Sequence, residues 1–243
     1  MSKVRPICAI VGAGEGLGVS LARAFAADGA DIALLGRKPE SMQLAKSAAE
    51  KGGARTGIYL ADARDPVALT NALQKVQQDM GDIEILIYNP RGGPSYKPPL
   101  EVTFDELKDA LDLEVLGAFA AGKAVLPGMV ARGRGTILYS SATAAMRGSK
   151  RNLTYAAGKF GLRSVSQSFS KAYASNGVHV VHVRLDCTLD VPLARELMGK
   201  QYDKEKTADT DDVARSYVWT YHQPRSAWSN EVELRPYTED WTY

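Results

Sequence analysis

Six short apolar runs recur along the chain, most of them followed by a longer stretch with helical spacing. The runs are Ile7–Gly12, Asp31–Gly36, Thr56–Leu60, Ile83–Asn89, Thr136–Ser141 and Val178–Leu185. Most are apolar throughout instead of alternating, which is the pattern of strands covered on both faces. Between them "LGVSLARAFAADG", "PESMQLAKSAAEKG", "DPVALTNALQKVQQDMG" and "TFDELKDALDLEVLGAFAAGKAVLPGMVARG" predict helices. Pro39 and Pro66 stand at helix starts, and Gly29, Gly52, Gly81 and Gly133 follow helix ends. Repeated strand–helix–strand order calls for parallel pairing, right-handed crossovers and helices on both faces. The expected fold class is therefore α/β, a doubly wound parallel sheet of about seven strands. Its last strand falls at "NEVELRP", after a short helix around Asp211 to His222. Residues 1–243 are expected to form one domain, with 191–243 supplying a substrate lid and the C-terminal strand.

Composition narrows the function classes. Hydrophobic residues make up 45% and charged residues 24% of 243, an ordinary soluble balance. A net charge of +2 gives no broad basic field for nucleic acid or an anionic membrane. The two cysteines, Cys8 and Cys187, form no C-x-x-C, so neither a disulfide nor a metal site is expected. The start "MSKVRPICAIVG" lacks a signal-peptide pattern, and no window is read as approaching the ~18 apolar residues of a membrane span. A cytoplasmic protein without a membrane partner is the expectation.

Candidate chemistry begins where the first strand ends, at "GAGEGLG". Gly12, Gly16 and Gly18 follow G-x-x-x-G-x-G, not the common G-x-G-x-x-G. The physical logic is the same: a tight turn, close backbone approach to a pyrophosphate, and close helix–strand packing. The following helix offers its N-terminal N–H groups to phosphate. An NAD site usually has an acid at the end of the second strand. Here that strand ends in Arg37 and Lys38, and a guanidinium suits a 2′-phosphate, so NADP(H) is favoured over NAD(H). Glu15, inside the turn, opposes that phosphate if it points inward. Farther on, "TYAAGKFG" puts Tyr155 and Lys159 on one helix face. Alone, that spacing fits proton chemistry or mere helix neighbours.

Taken together, the glycine spacing, the strand order and the Tyr155/Lys159 pair resemble the short-chain dehydrogenase/reductase family, from about Ile7 to Val191 and weakly beyond. The resemblance implies a single Rossmann-type domain. It implies that Gly12, Gly14, Glu15, Gly16, Leu17 and Gly18 cradle the cofactor, and that Asp62, beside Ala63, bonds the adenine. Asn89 is placed under the cofactor ribose, although "YNPRGG" departs from the family's Asn-Asn-Ala-Gly at Tyr88, Pro90 and Arg91. Ser141 would hold the substrate oxygen, with Ser140 as the alternative. Tyr155 would exchange the proton, its phenolate favoured by the Lys159 ammonium, which also binds the ribose. Glu114 stands where the family has a relay Asn. Asp186 and Cys187 stand where it has Pro-Gly, with Thr188 a possible nicotinamide contact.

The implied activity is NADP(H)-dependent transfer of a hydride between nicotinamide and a small-molecule carbonyl or secondary alcohol. An alternative is a catalytically weak dinucleotide-binding protein acting as a sensor or partner. The resemblance also implies a homodimer or homotetramer, for which the small-residue run Leu116 to Ala124 would permit close helix packing. Tyr96, Met146, Leu193 and Met198 are possible pocket residues. Trp219, Trp228 and Trp241 are expected to be core or interface anchors.

Overall fold

The computed structural model describes residues 5–93 and 95–239; Trp241 lies outside them. Seven strands form one sheet: β1 (Ile7–Val11), β2 (Asp31–Gly36), β3 (Thr56–Leu60), β4 (Ile83–Tyr88), β5 (Gly135–Ala142), β6 (Val178–Leu185) and, near the C-terminus, Glu231–Leu234. A separate two-residue pair, β7 (Thr188–Leu189) and β8 (Thr207–Ala208), precedes that last strand, which is therefore β9. The sheet order is β3-β2-β1-β4-β5-β6-β9, with every pairing parallel. The direction of strand addition reverses at β1, between β2 and β4, and this is where such sheets open a crevice at their carboxyl ends.

The continuous apolar strands have a direct structural cause. Ile7, Ala9 and Val11 point into one core cluster, and Cys8 and Ile10 into the other. Helices α1 (Leu17–Ala27), α2 (Gln43–Lys51) and α8 (Thr210–Tyr221) cover the second cluster; α3 (Pro66–Met80), α5 (Gly117–Arg132) and α6 (Leu153–Tyr173) cover the first. Local signals set the helix ends. Asp65 caps α3 by accepting from the backbone N–H groups of Val67 and Ala68, with Pro66 in the first turn. Thr103 and Glu106 form a reciprocal capping box at α4 (Phe104–Leu111). Gly133 closes α5 at φ 65°.

The long fourth helix departs from the expectation. Between α4 and α5 the backbone runs through a π turn, Asp112–Leu116. Two glycines of α6 face this turn. A Cβ on Gly161 would lie 2.4 Å from Val115 Cγ2, and one on Gly158 would lie 2.8 Å from Glu114 Cγ. On the other side the Tyr88 hydroxyl donates to the Leu113 carbonyl. Packing, not periodicity, therefore sets the local winding.

A second correction concerns apolarity. Phe104–Arg132 is long and apolar enough to cross a bilayer by length and composition, with a window of mean hydropathy 1.4. The reason is its small and aliphatic inner face, which packs on α3, β4 and α6; more than half of that window is buried. The small residues expected to serve an interface are instead used internally. Gly117 abuts the Ala63 carbonyl and Tyr88, and Gly122 abuts Phe169 and Tyr139. Of the tryptophans, Trp219 is exposed, while Trp228 stacks on His179 at 4.5 Å with the rings 4° apart.

Candidate active site

Strand register brings the sequence candidates to one end of the sheet. Val11 aligns with Leu35 and Tyr88, and Tyr88 aligns with Tyr139. Gly12, Arg37, Asn89 and Ser141 thus leave the sheet at the same edge. Gly12 has φ 79°, and a Cβ there would meet the Pro90 nitrogen at 2.7 Å. Gly18 is equally closed, its Cβ position 2.8 Å from Ala13 backbone. Among the described residues, Gly14 has nothing within 4 Å of its Cβ position, and Gly16 has only Val191 Cγ1 at 3.4 Å. Two glycines hold the turn together, and the other two leave bare backbone at the start of α1, which no side chain caps. This cradle fits a dinucleotide's phosphates. Asn89 Nδ2 donates to the Gly12 carbonyl at 3.1 Å, tying β4 to the turn.

Arg37 and Lys38 are exposed just beyond β2, and neither forms an ion pair among the described residues. Glu15 is exposed on the turn, and Leu17 is buried as the first residue of α1. Asp62 is engaged locally: Oδ1 accepts from the Arg64 N–H at 3.0 Å, and the Arg64 guanidinium lies 3.5 Å away. Ala63 is buried against α5.

Alternation along β5 separates the two serines. Ser140 turns toward α8 and shares a 2.8 Å hydrogen bond with the Tyr217 hydroxyl. Ser141 turns the other way, toward α6, where its Oγ is buried and bonded to nothing among the described residues. A buried hydroxyl without a partner costs free energy unless a ligand satisfies it. On α6, Lys159 Nζ donates to the Ser140 carbonyl at 3.2 Å and lies 5.7 Å from the centre of the Tyr155 ring. Tyr155 itself is half-buried. The structure thus gathers Ser141, Tyr155 and Lys159 at the end of β5.

The family model described as short chain dehydrogenase matches residues 6–201. The chain belongs to the short-chain dehydrogenase family. Oxidoreductase UcpA of Escherichia coli is 33% identical over 172 residues, spanning 70% of this chain and 65% of that protein. An uncharacterized oxidoreductase of Staphylococcus saprophyticus is 25% identical over 231 residues, covering 95% of this chain and 97% of the relative. Among solved structures, a short-chain dehydrogenase from Rhodopseudomonas palustris is 29% identical with a TM-score of 0.82, covering 96% and 99% of the two chains. L-Sorbose reductase from Gluconobacter frateurii, complexed with NADPH and L-sorbose, has a TM-score of 0.86 at 21% identity and 97% coverage of each chain.

Within the short-chain dehydrogenase framework, the departures form their own contacts. Glu114, at the π turn, is 1% exposed, and its Oε2 lies 2.8 Å from Lys159 Nζ, which is 3% exposed. The approach is off the hydrogen-bond axis, so the contact is an ion pair. Glu114 Oε1 accepts from the Gly92 N–H at 3.2 Å. Asp186 is buried, accepts from the Thr143 hydroxyl, and pairs with Arg235 at 3.1 Å. It therefore joins the chain after Ser141 to the segment after β9. Thr188 is exposed and pairs with Thr207 in the small sheet. Sequence reasoning missed Tyr88, Thr143 and Arg235, whose roles come from partners far away in the chain. Only the apolar strand around Tyr88 hinted at its burial, which raises its phenol well above the usual range, with the Glu114 charge adding to the effect. Burial, with help from Asp186, pushes the Cys187 thiol up to about 12, which keeps it a poor nucleophile.

Proposed function

We propose that this chain is an NADP(H)-dependent dehydrogenase/reductase that interconverts a carbonyl and the corresponding secondary alcohol. The observation that carries this reading is the buried Ser141 Oγ, bonded to nothing among the described residues and adjacent in the chain to the Ser140 carbonyl that Lys159, the neighbour of Tyr155, holds. A substrate oxygen placed there would satisfy it. The bound dinucleotide supplies or accepts the hydride. Its phosphates are assigned to the bare backbone from Gly12 to Gly18, including Gly14, Glu15, Gly16 and Leu17. Asp62 and Ala63 are assigned to the adenine end, Asn89 to the ribose, and Thr188 to the nicotinamide. Arg37 and Lys38 are free to grip a 2′-phosphate.

Ser141 donates to the substrate oxygen and fixes its position. Tyr155 gives its phenolic proton to that oxygen in reduction and takes it back in oxidation. Lys159 favours the phenolate by its positive charge. Glu114 holds Lys159 in place and, through Gly92, ties the loop after β4 to the same pair.

Cofactor choice is tested by binding. Titration of the protein with NADPH and with NADH is expected to show at least about tenfold tighter NADPH binding, the scale of one charge-assisted contact. Arg37→Ala should erase that preference. Equal affinities in the unaltered protein would contradict the NADP assignment. Structural neighbours include an archaeal alcohol dehydrogenase with 5-hydroxy-NADP and an NAD+-bound xylitol dehydrogenase. The assignment to this chain therefore rests on Arg37 and Lys38.

A second reading, dinucleotide binding without useful turnover, is favoured by one observation: the Glu114 carboxylate offsets the Lys159 charge that Tyr155 depends on. The proposal also includes one domain over 1–243, with 191–243 as lid and last strand, and a cytoplasmic location. A homodimer or homotetramer is supported by Leu116, Phe119 and Phe160, large apolar side chains left exposed on the α5 and α6 side.

A further inference from the structure

The charge of this chain is distributed unevenly. From Val115 to Leu185 there is no Asp or Glu, while ten Lys and Arg occur. Carboxylates from outside that stretch neutralise several of them, as in Arg132–Asp82, Lys159–Glu114 and Arg163–Glu231. The loop between β5 and α6, residues 143–152, contains Arg147, Lys150 and Arg151, all exposed. Neither Lys150 nor Arg151 has a carboxylate within ion-pair distance among the described residues. Instead the Arg151 guanidinium donates to the Tyr96 carbonyl at 3.1 Å.

That bond reaches the loop after β4, which has the same character. From Asn89 to Leu100 it has no carboxylate, and it contains Arg91 and Lys97. Lys97 is paired with Glu106, whereas Arg91 is exposed and without an ion pair among the described residues. Arg91 is the residue before Gly92, whose N–H holds Glu114 and through it Lys159. The two loops are further joined by Ser95 N–H to Asn152 Oδ1 at 3.2 Å. Tyr96, at their junction, has φ 50°, the only non-glycine with positive φ among the described residues. Such backbone strain persists only where surrounding contacts hold it. A third segment, α7 (Pro192–Met198), adds Arg195, paired with Asp190, and Glu196.

We propose that the substrate of this site is an oxyanion, a carbonyl compound or alcohol bearing a carboxylate or phosphate, with Arg91, Lys150 and Arg151 as its anion-binding groups. The inference rests on the carbonyl-reduction reading above and names its substrate class. Charges left unpaired beside a binding site raise the local concentration of the opposite charge and are screened by salt. A guanidinium fork matches either oxyanion.

The test compares matched pairs with the full chain, in NADPH and in NADH separately. One arm sets 3-oxo-, 4-oxo- and 5-oxocarboxylates against their methyl esters; the other sets dihydroxyacetone phosphate against dihydroxyacetone. The anionic member of at least one arm should win by about tenfold or more in kcat/KM at low salt, as expected for one charge-assisted contact. The arm that wins identifies the anion. The advantage should shrink as salt rises, and the anion/neutral ratio should fall toward one in Arg91→Gln and in Lys150→Gln/Arg151→Gln. Neutral members reduced as well as anionic ones would overturn this inference while leaving carbonyl reduction standing. A raised KM for cofactor with an unchanged anion/neutral ratio in Arg91→Gln would assign Arg91 to the dinucleotide and overturn it too. No turnover in any pair would overturn both readings.

Discussion

Lys159 and Glu114 form an ion pair at 2.8 Å with almost no solvent contact, between the helix that presents Tyr155 and the π turn opposite it. Two charges out of water are costly to bury, and the loss of one partner is costlier than the loss of both. Glu114→Gln should therefore destabilise the fold by about 3–5 kcal/mol. Glu114→Gln combined with Lys159→Met should lose clearly less. Urea denaturation of the two single variants and the double variant measures the coupling directly; additive losses would show that the two side chains are not energetically coupled.

The glycine turn makes a contrasting prediction. At Gly12 a Cβ would strike backbone at 2.7 Å with φ at 79°, while at Gly14 it would enter open space. Gly12→Ala should destabilise the fold by about 1–3 kcal/mol. Gly14→Ala should leave stability within about 0.5 kcal/mol, the usual range for such a site, and weaken dinucleotide affinity. Thermal melts paired with NADPH titration separate the two effects.

His182 provides a pH signature. Burial is the main cause that pulls its pKa down to about 4, against a smaller opposing pull from Glu231, and its Nε2 has no hydrogen-bond partner among the described residues. The folded state keeps this imidazole neutral while the unfolded chain takes a proton near pH 6.5. Its contribution is therefore complete above about pH 6.5, is lost as pH falls toward 4, and is constant below that. The full span corresponds to about 3 kcal/mol. The urea midpoint of His182→Asn, compared with that of the unaltered chain between pH 7 and 4, should show the smaller decline in the variant. His179, also held low by burial, adds in the same direction.

The sheet was legible because buried strands need continuous apolar runs; β2, β3 and β6 have the bounds that the runs indicate. The glycine turn was legible because its four glycines fall within seven residues, directly after the first strand. The π turn was not. It arises where Gly158 and Gly161 admit Glu114 and Val115 from another helix, and no local periodicity records that fit. The same holds for Asp186, whose burial is supported by Thr143 and Arg235. Sequence alone left Ser140 as an alternative to Ser141. The two-residue period of a strand, with Tyr217 on one side and no partner among the described residues on the other, separates them.

The central claim is that Tyr155 passes a proton to a substrate oxygen held by Ser141. Its most direct test is the initial rate of NADPH consumption with a reducible ketone, for the unaltered chain and Tyr155→Phe, with NADPH affinity measured on both. The account expects turnover in the former, a fall of about 10²–10⁴-fold in the latter, and NADPH binding largely retained. A Tyr155→Phe variant that turns over at an undiminished rate would contradict it.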